Sequence, residues 1–495
     1  MTSTIYQCCS LLSLTLPDKL FWPGNPAYAT SLSSYYSAQE AAVQPACIVL
    51  PQTAQDVSVA VRILTGQASG NGSRDSASAL QRCPFATRSG GHAVFPGAAN
   101  LEAGVTIDLS ALSCITVSTP GVGVAAAPIV TVGAGAKWGA VYAELDPRQL
   151  GVGGGRAGDV GVGGLTLGGG ISYFGPRDGW VCDTVLDFEV VLANGSIVHA
   201  NQDENADLLW ALRGGTNNLG IVTGVSLQAF AQGDLWGGWT TSTFETADAH
   251  IVATAAFNEP EGLDESASLI TTFAYSGAQD AFVVVTNMQY TKPEADPPVF
   301  NNFTMLTSLS STQRITNMTD LAAETDANTP RGLRQAEATL TIAPSVAAIN
   351  ATVRAWKSSV ASVRSMDNVT WAVGIDSLPP QLYSRYAGGS HNALGLTERN
   401  GSSLLVLHLT MSWTNAIDDA TAHRTIRDLV ATIQRDVGNL GAVDSFQYVN
   451  YAAPWQQPIK SYGISSVGRL QQVREMYDPT HVFTDLVPGG FKIPL

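Results

Sequence analysis

The chain has 495 residues, too many for one ordinary hydrophobic core and enough for two or three domains. Hydrophobic residues make up 45% and charged residues 14%, a composition that excludes a disordered chain. A formal net charge of -15 repels phosphate backbones and anionic lipid, so nucleic acid and anionic membranes are not expected partners. No run of about 18 apolar residues reads as a membrane span.

The first residues, MTSTIYQCCSLLSLTL, lack the basic n-region and the length of a signal peptide. They read like the start of a mature domain whose leader has been removed. Cys8, Cys9, Cys47, Cys83, Cys114 and Cys182 show no CxxC spacing, so no zinc site is expected. They read either as buried small apolar residues or as one or two disulfides. Sequons at Asn71, Asn194, Asn302, Asn317, Asn350, Asn368 and Asn400 lean towards a secreted glycoprotein, with an intracellular location as the alternative.

Residues 47–65 predict a strand, a turn at Pro51 and a helix capped by Thr53, with Val57, Val61 and Leu64 at helical spacing. Short strands are expected at Phe85–Arg88, Val105–Leu109, Ile129–Val132 and Phe188–Leu192. The last turns at Asn194-Gly195 into Ile197–His199. A short amphipathic helix over Asp207–Arg213 ends at Gly214-Gly215, and Leu219–Phe230 alternates like a strand. From about residue 231 the glycines thin out. Ala281–Tyr290 and Leu404–Trp413 read as longer strands, and 333–363 and 417–436 as helices, the pattern of helices segregated from an antiparallel sheet. The tail, 446–495, holds YVNY, a helix over Val467–Met476, and YDP. The fold class is α+β.

Three glycine-bearing segments carry chemistry. Arg88-Ser89-Gly90-Gly91-His92 follows a strand directly, and its Gly pair lets consecutive N–H groups face a phosphate; an ordinary turn beside a surface histidine would use the same residues. In Gly151–Gly170, GVGGGRAGDVGVGGLTLGGG, so many glycines imply a close backbone approach, while Val152, Val160, Val162, Leu165 and Leu167 give the loop something to bury. It lacks the strand–helix context and acidic residue of a Rossmann site. Leu208–Thr223, LLWALRGGTNNLGIVT, is ordinary punctuation on its own.

In order, strand-RSGGH, the long glycine loop, LLWALRGGTNNLGIVT, then YVNY and YDP resemble the berberine-bridge-enzyme-like flavoproteins. That group belongs to the vanillyl-alcohol-oxidase, or PCMH-type, FAD-binding proteins, and the fungal members are most similar. The resemblance covers most of 35–230 and 446–495, with weaker echoes at Gly388-Gly389 and Leu394-Gly395-Leu396. It implies a PCMH-type FAD-binding domain of two α+β subdomains over 1–230, with its core over about 43–230. A substrate-binding domain over 231–445, with an antiparallel sheet flanked by helices, is expected to follow, and 446–495 to return to the FAD domain. The implied activity is that of an FAD-linked oxidoreductase of secondary metabolism. It would be an oxidase that removes a hydride from a small-molecule or natural-product substrate and passes electrons to O2. A cyclase or binding module with mainly structural FAD is the alternative.

Carried over residue by residue, the resemblance implies that His92 bonds to the 8α carbon of the flavin and that Arg88, Ser89, Gly90 and Gly91 hold the pyrophosphate. It also implies that Gly133, Gly135, Gly158, Val160, Gly161, Gly163, Gly164, Gly220, Ile221, Val222 and Asn450 line FAD. Many relatives attach the flavin a second time through a cysteine just before the VGVGG run. Ala157 stands there in this chain, so a single link is expected, and less likeness to the oligosaccharide oxidases. Val160 occupies a position that governs oxygen access, and valine there looks like an oxidase. Tyr451 aligns with a tyrosine base; a phenol of pKa about 10 needs a cation or hydrogen bond beside it for that role, and packing against FAD is its other reading. Val94 and Ile171 replace aromatic site residues, which points away from a sugar substrate. Asp376 and Glu398 are further candidate bases. His199, His250, His391, His408, His423 and His481 have no metal-type spacing and read as surface or core, with His391 the one of interest in the substrate half.

Overall fold

The computed structural model describes residues 3–67, 82–118, 127–385, 391–396, 399 and 401–495. Asn71, Gly388, Gly389, Glu398 and Asn400 lie outside the described residues.

Helix α1 (Ser3–Thr15) is bonded to the first sheet by two disulfides, Cys8–Cys83 and Cys9–Cys47. The disulfide expectation holds for four cysteines and the buried-residue expectation for Cys182, while Cys114 keeps an exposed thiol and fits neither. The sheet contains β1 (Leu20–Phe21), β2 (Cys47–Val49), β3 (Phe85–Arg88) and β4 (Val105–Asp108) in the order β1-β2-β4-β3. β2 and β3 each pair parallel with β4. Helix α2 (Ala54–Leu64) follows β2 as expected. Thr53 and Asp56 satisfy each other's backbone N–H groups at 3.1 and 3.0 Å, and Val57, Val61 and Leu64 are fully buried.

The second sheet is antiparallel: β5 (Ile115–Ser118), β6 (Ile129–Gly133), β7 (Val185–Val191), β8 (Ile197–Ala200) and β9 (Ile221–Gln228), in the order β5-β6-β9-β7-β8. Gly195, at φ +78°, turns β7 into β8 where Asn194-Gly195 predicts it. Helix α3 (Val162–Leu167) sits inside the long glycine loop, between β6 and β7 in the chain.

Among the described residues the third sheet has nine strands. Six are long: β10 (Leu235–Thr243), β11 (Ala267–Ser276), β12 (Ala281–Tyr290), β13 (Arg334–Ile342), β14 (Thr370–Leu378) and β15 (Leu404–Trp413). They run β10-β12-β11-β14-β15-β13 with antiparallel pairing throughout. The first third of 333–363 therefore differs from the helix expected there: it is strand β13, and helix α4 covers only Val346–Ser359. Alanine and glutamate favour helix locally, but Ala336, Ala338, Leu340 and Ile342 alternate into the core, and pairing with β15 decides the outcome. α4 and helix α5 (Asp419–Gly438) pack Trp356, Leu429 and Ile433 against this apolar face. Alternation puts Glu337, Thr339, His408, Gly374 and Asp376 on the opposite face.

The tail holds helix α6 (Ile464–Tyr477) and returns to the first two sheets. Phe85 N–H donates to the Leu486 carbonyl at 2.7 Å, and Ile493 N–H to Asn218 Oδ1 at 3.2 Å. No helix among the described residues is long and apolar enough to cross a membrane.

Candidate active site

The RSGGH turn leaves β3 and lies directly on the glycine loop. A Cβ at Gly90 would stand 2.5 Å from the Cα of Gly161, and one at Gly163 would meet the Ala134 carbonyl at 3.0 Å and Ser89 Oγ at 3.1 Å. Glycine is required at Gly90, where a Cβ would overlap backbone, and at Gly163 a Cβ would press tightly on its neighbours. Ser89 Oγ donates to the Ala134 carbonyl at 2.6 Å, and Ala134 N–H donates to the Thr223 carbonyl at 3.0 Å, which ties the turn through the end of β6 to β9. Gly164 differs: it is exposed and nothing lies where its Cβ would be.

The remaining glycines of the expected FAD lining serve the packing. A Cβ at Gly133 would overlap the Leu112 carbonyl, one at Gly135 that of Leu109, and one at Gly220 would stand 2.4 Å from Val190 Cγ1. Ile221 and Val222 are buried in β9. Gly158 packs against Gly139 and the Asp326 carboxylate, and the Val160 carbonyl accepts from Trp138 N–H at 3.0 Å. The Arg88 side chain faces inward. It donates to the Ser31 carbonyl, Ser34 Oγ and Asp108 Oδ2 at 2.6, 2.5 and 3.2 Å, and lies 4.0 Å over the Tyr35 ring, which commits its guanidinium to these partners.

His92 is half-buried at the edge of this contact, stacked on Tyr36 with ring centroids 4.0 Å apart and planes 11° from parallel. Burial lowers its imidazole from 6.5 to about 4, opposed by the Glu337 charge, so the ring is neutral near pH 7.

A second cluster gathers residues from five segments. Arg156, in the glycine loop, holds Asp376 of β14 with two hydrogen bonds, at 2.8 and 3.1 Å, and also donates to Tyr451 Oη. Tyr451 stacks on His408 of β15, centroids 3.7 Å apart and planes 6° from parallel, and meets Tyr448 edge-on. Burial pushes the Tyr451 phenol well above its ordinary value; Arg156 pulls it down, while Asp376 and Tyr448 add to the rise. His408 Nε2 has no hydrogen-bond partner among the described residues, and Glu337 Oε1 stands 3.6 Å away. Asn450 docks this segment on the loop, donating to the Leu165 carbonyl at 3.1 Å and to Tyr448 Oη at 3.0 Å. Tyr448 Oη also accepts from Ile171 N–H at 3.1 Å.

Sequence reasoning singled out Tyr451 and Asp376 here but not Arg156, Tyr36 or Glu337, and it read His408 as surface or core. The available signals were an arginine inside a glycine run and polar residues alternating along β13 to β15. His391 belongs elsewhere, bonded to Arg213 Nη1 at 2.8 Å and to the Asp183 carbonyl at 3.1 Å. Among the described residues no three His, Cys, Asp or Glu side chains form a metal-binding group. A groove of about 630 Å³, lined by Arg354, Ser358 and Asp428, runs between α4 and α5, on the side of the nine-stranded sheet away from this cluster.

Residues 45–201 match the family described as "FAD binding domain", and residues 447–485 the one described as "Berberine and berberine like". FAD-dependent monooxygenase sdcF of Emericella nidulans is 34% identical over 100% of this chain and 99% of its own length. A protein of Diaporthe leptostromiformis named Oligopeptidase PhomG′ is 38% identical over 95% of this chain, which spans only 36% of that protein. Among solved structures, the glucooligosaccharide oxidase of Acremonium strictum, described with a 6-S-cysteinyl, 8α-N1-histidyl FAD, superposes with a TM-score of 0.73 at 18% identity. That match covers 99% of this chain and 100% of that one.

Proposed function

From a chain that belongs to the berberine-like family of FAD-dependent oxidoreductases, we propose an oxidase that carries FAD on His92 and draws its electrons from a small natural-product substrate. The observation that carries this reading is the pairing of a neutral, half-buried His92 with the Gly90–Gly161 contact, beside an exposed Gly164 that leaves open space. The residues present fit the cofactor. The 88–91 turn and the 158–164 loop offer backbone N–H groups to a pyrophosphate, and Asn450 braces the loop. Residues 1–230 and 446–495 would form the FAD-binding part and 231–445 the substrate-binding part. Ile221 and Val222, at the start of β9, and Gly220 just before it act by shaping the loop's support.

His92 is the single attachment point, because Ala157 has no sulfur for a second bond. The glucooligosaccharide oxidase is described with both a histidyl and a cysteinyl link, so the histidyl half is the one this chain can share.

The chemistry that bound FAD supplies is two-electron acceptance from a substrate C–H bond. The chain's own groups handle the proton. Burial keeps Tyr451 protonated, so its Oη takes the proton of a substrate hydroxyl or amine only while passing its own to Asp376, which Arg156 holds in place. Arg156 stabilises the charge at Oη during that exchange. Val160 leaves a small side chain where oxygen access is governed, and the words monooxygenase and oxidase in the relatives' names both denote reactions with dioxygen, which supports O2 as acceptor. The two disulfides support a secretory route.

The mass of the denatured protein tests the attachment: it should exceed the chain mass by one FAD, and His92→Ala should release all flavin into an acid supernatant. Anaerobic bleaching of the flavin by a panel of alcohols, amines and natural products, with peroxide formed on readmitting air, tests the reaction. A panel that neither bleaches the flavin nor yields peroxide would refute the oxidase.

A further inference from the structure

We infer that Tyr36 is a positioning residue for flavin attachment, holding the His92 imidazole in the plane from which its nitrogen forms the bond; this rests on the proposal that His92 is the attachment point. The nitrogen lone pair of an imidazole lies in the ring plane, so whatever fixes that plane fixes the direction in which a bond can form. The Tyr36 ring covers one face of His92, nearly parallel and 4.0 Å away.

The backbone around Tyr36 makes the stack a clamp. Tyr36 N–H donates to the Gly91 carbonyl at 2.9 Å, the residue directly before His92, and the Tyr36 carbonyl accepts from Gly332 N–H at 2.9 Å. Ala38 N–H donates to the Leu333 carbonyl at 2.9 Å, and Gln39 exchanges two hydrogen bonds with the Gln335 backbone, at 2.8 and 3.0 Å. Segment 36–39 is thus pinned between the RSGGH turn on one side and the start of β13 on the other. Gly91 itself sits at φ +67°, a conformation that favours glycine and turns His92 towards the ring. The charged groups acting on the imidazole come from three segments: Glu337 of β13, Arg331 just before it, and Asp159 of the glycine loop. Arg331 and Asp159 pair with each other at 2.7 Å, and Lys137 also holds Asp159, at 2.9 Å.

Attachment joins an imidazole nitrogen to the carbon of the flavin 8α-methyl group. The imidazole N–H proton and one methyl proton would leave to water, and the two electrons left on the flavin would pass to dioxygen, which takes two protons back from water to become hydrogen peroxide. Tyr36 takes part in none of these transfers. Its contribution is orientation, and it needs an aromatic face but no hydroxyl.

The experiment compares wild type, Tyr36→Phe and Tyr36→Leu, purified at a fixed time after induction, precipitated with acid and assayed for flavin in pellet and supernatant. Wild type and Tyr36→Phe should keep their flavin in the pellet. Tyr36→Leu should show about threefold to tenfold less pelleted flavin, the range expected for losing one aromatic stack, with flavin appearing in the supernatant and an unchanged circular dichroism spectrum. Should Tyr36→Leu fail to fold, Tyr36→Met, equally without a flat face, takes its place. Wild-type attachment in the folded Leu or Met variant overturns the inference alone. Wild-type protein with all its flavin in the supernatant overturns the His92 attachment and this inference together.

Discussion

Gly90 and Gly161 meet backbone to backbone, with the Gly90 Cβ position 2.5 Å from Gly161 Cα and the Gly161 Cβ position 2.3 Å from Gly90 N. Two loops whose contacting glycines stand 71 positions apart in sequence are thereby closed on each other with no side chain between them. Gly90→Ala and Gly161→Ala should each cost about 1–3 kcal/mol by forcing these backbones apart. The bound flavin should fall with them. Gly164→Ala, facing open space, should stay within about 0.5 kcal/mol of wild type. Thermal melts and flavin absorbance per chain distinguish these outcomes.

Arg156 and Asp376 are a largely buried pair, their side chains 13% and 3% exposed. Removing one partner strands the other charge in a low-dielectric site, at a cost of about 3–5 kcal/mol. Arg156→Met and Asp376→Leu should each lower the melting temperature sharply, while the double variant regains most of the loss. A double-mutant cycle on urea melts measures the coupling, and additive single losses would show that the pair is not one unit.

Tyr451→Phe keeps the ring that stacks on His408 and removes only Oη. The variant should fold, retain its flavin and reduce it about 10²- to 10⁴-fold more slowly, the range associated with losing a proton-transfer group. Stopped-flow bleaching by a substrate of the wild type is the measurement.

Lys492 offers a pH test away from the site. Burial lowers its ammonium from 10.5 to about 7, although the Asp478 charge pulls the other way. Between pH 7 and 10.5 the unfolded chain holds this proton more tightly than the folded one. The residue therefore costs stability in full below about pH 7, and the cost fades as pH rises towards 10.5. Lys492→Met should melt higher than wild type at pH 6.5, by on the order of 2–4 kcal/mol, with the gap closing by pH 10. Parallel curves at all pH values would contradict it.

Local chemistry was legible in the sequence wherever one segment decides its own structure. The Thr53 cap, the strand Phe85–Arg88 and the Asn194-Gly195 turn follow from neighbours in the chain. Residues 334–342 did not, because alanine-rich helix propensity competes with an alternation that matters only once β15 lies alongside. The site divides in the same way. His92, Gly90 and Gly161 stand in recognisable motifs, whereas Arg156 meets Asp376 across 220 positions, and Tyr36 reaches His92 from a stretch with no motif of its own. Such contacts are written in the folding of distant segments, and composition near either residue carries no trace of them.

Cys8 and Cys9 are neighbours, yet they bond to segments of different strands: Cys47 begins β2, and Cys83 lies in the lead-in just before β3. These two strands flank β4, so a single turn of α1 staples both margins of a parallel trio whose far edge runs straight into RSGGH. A reductant would cut both staples at one place. The practical consequence concerns the host in which the protein is made: a periplasm or a eukaryotic secretory pathway should yield yellow protein, while a thiol-rich cytosol should yield chains that lose both ties at once, each typically worth about 2–4 kcal/mol.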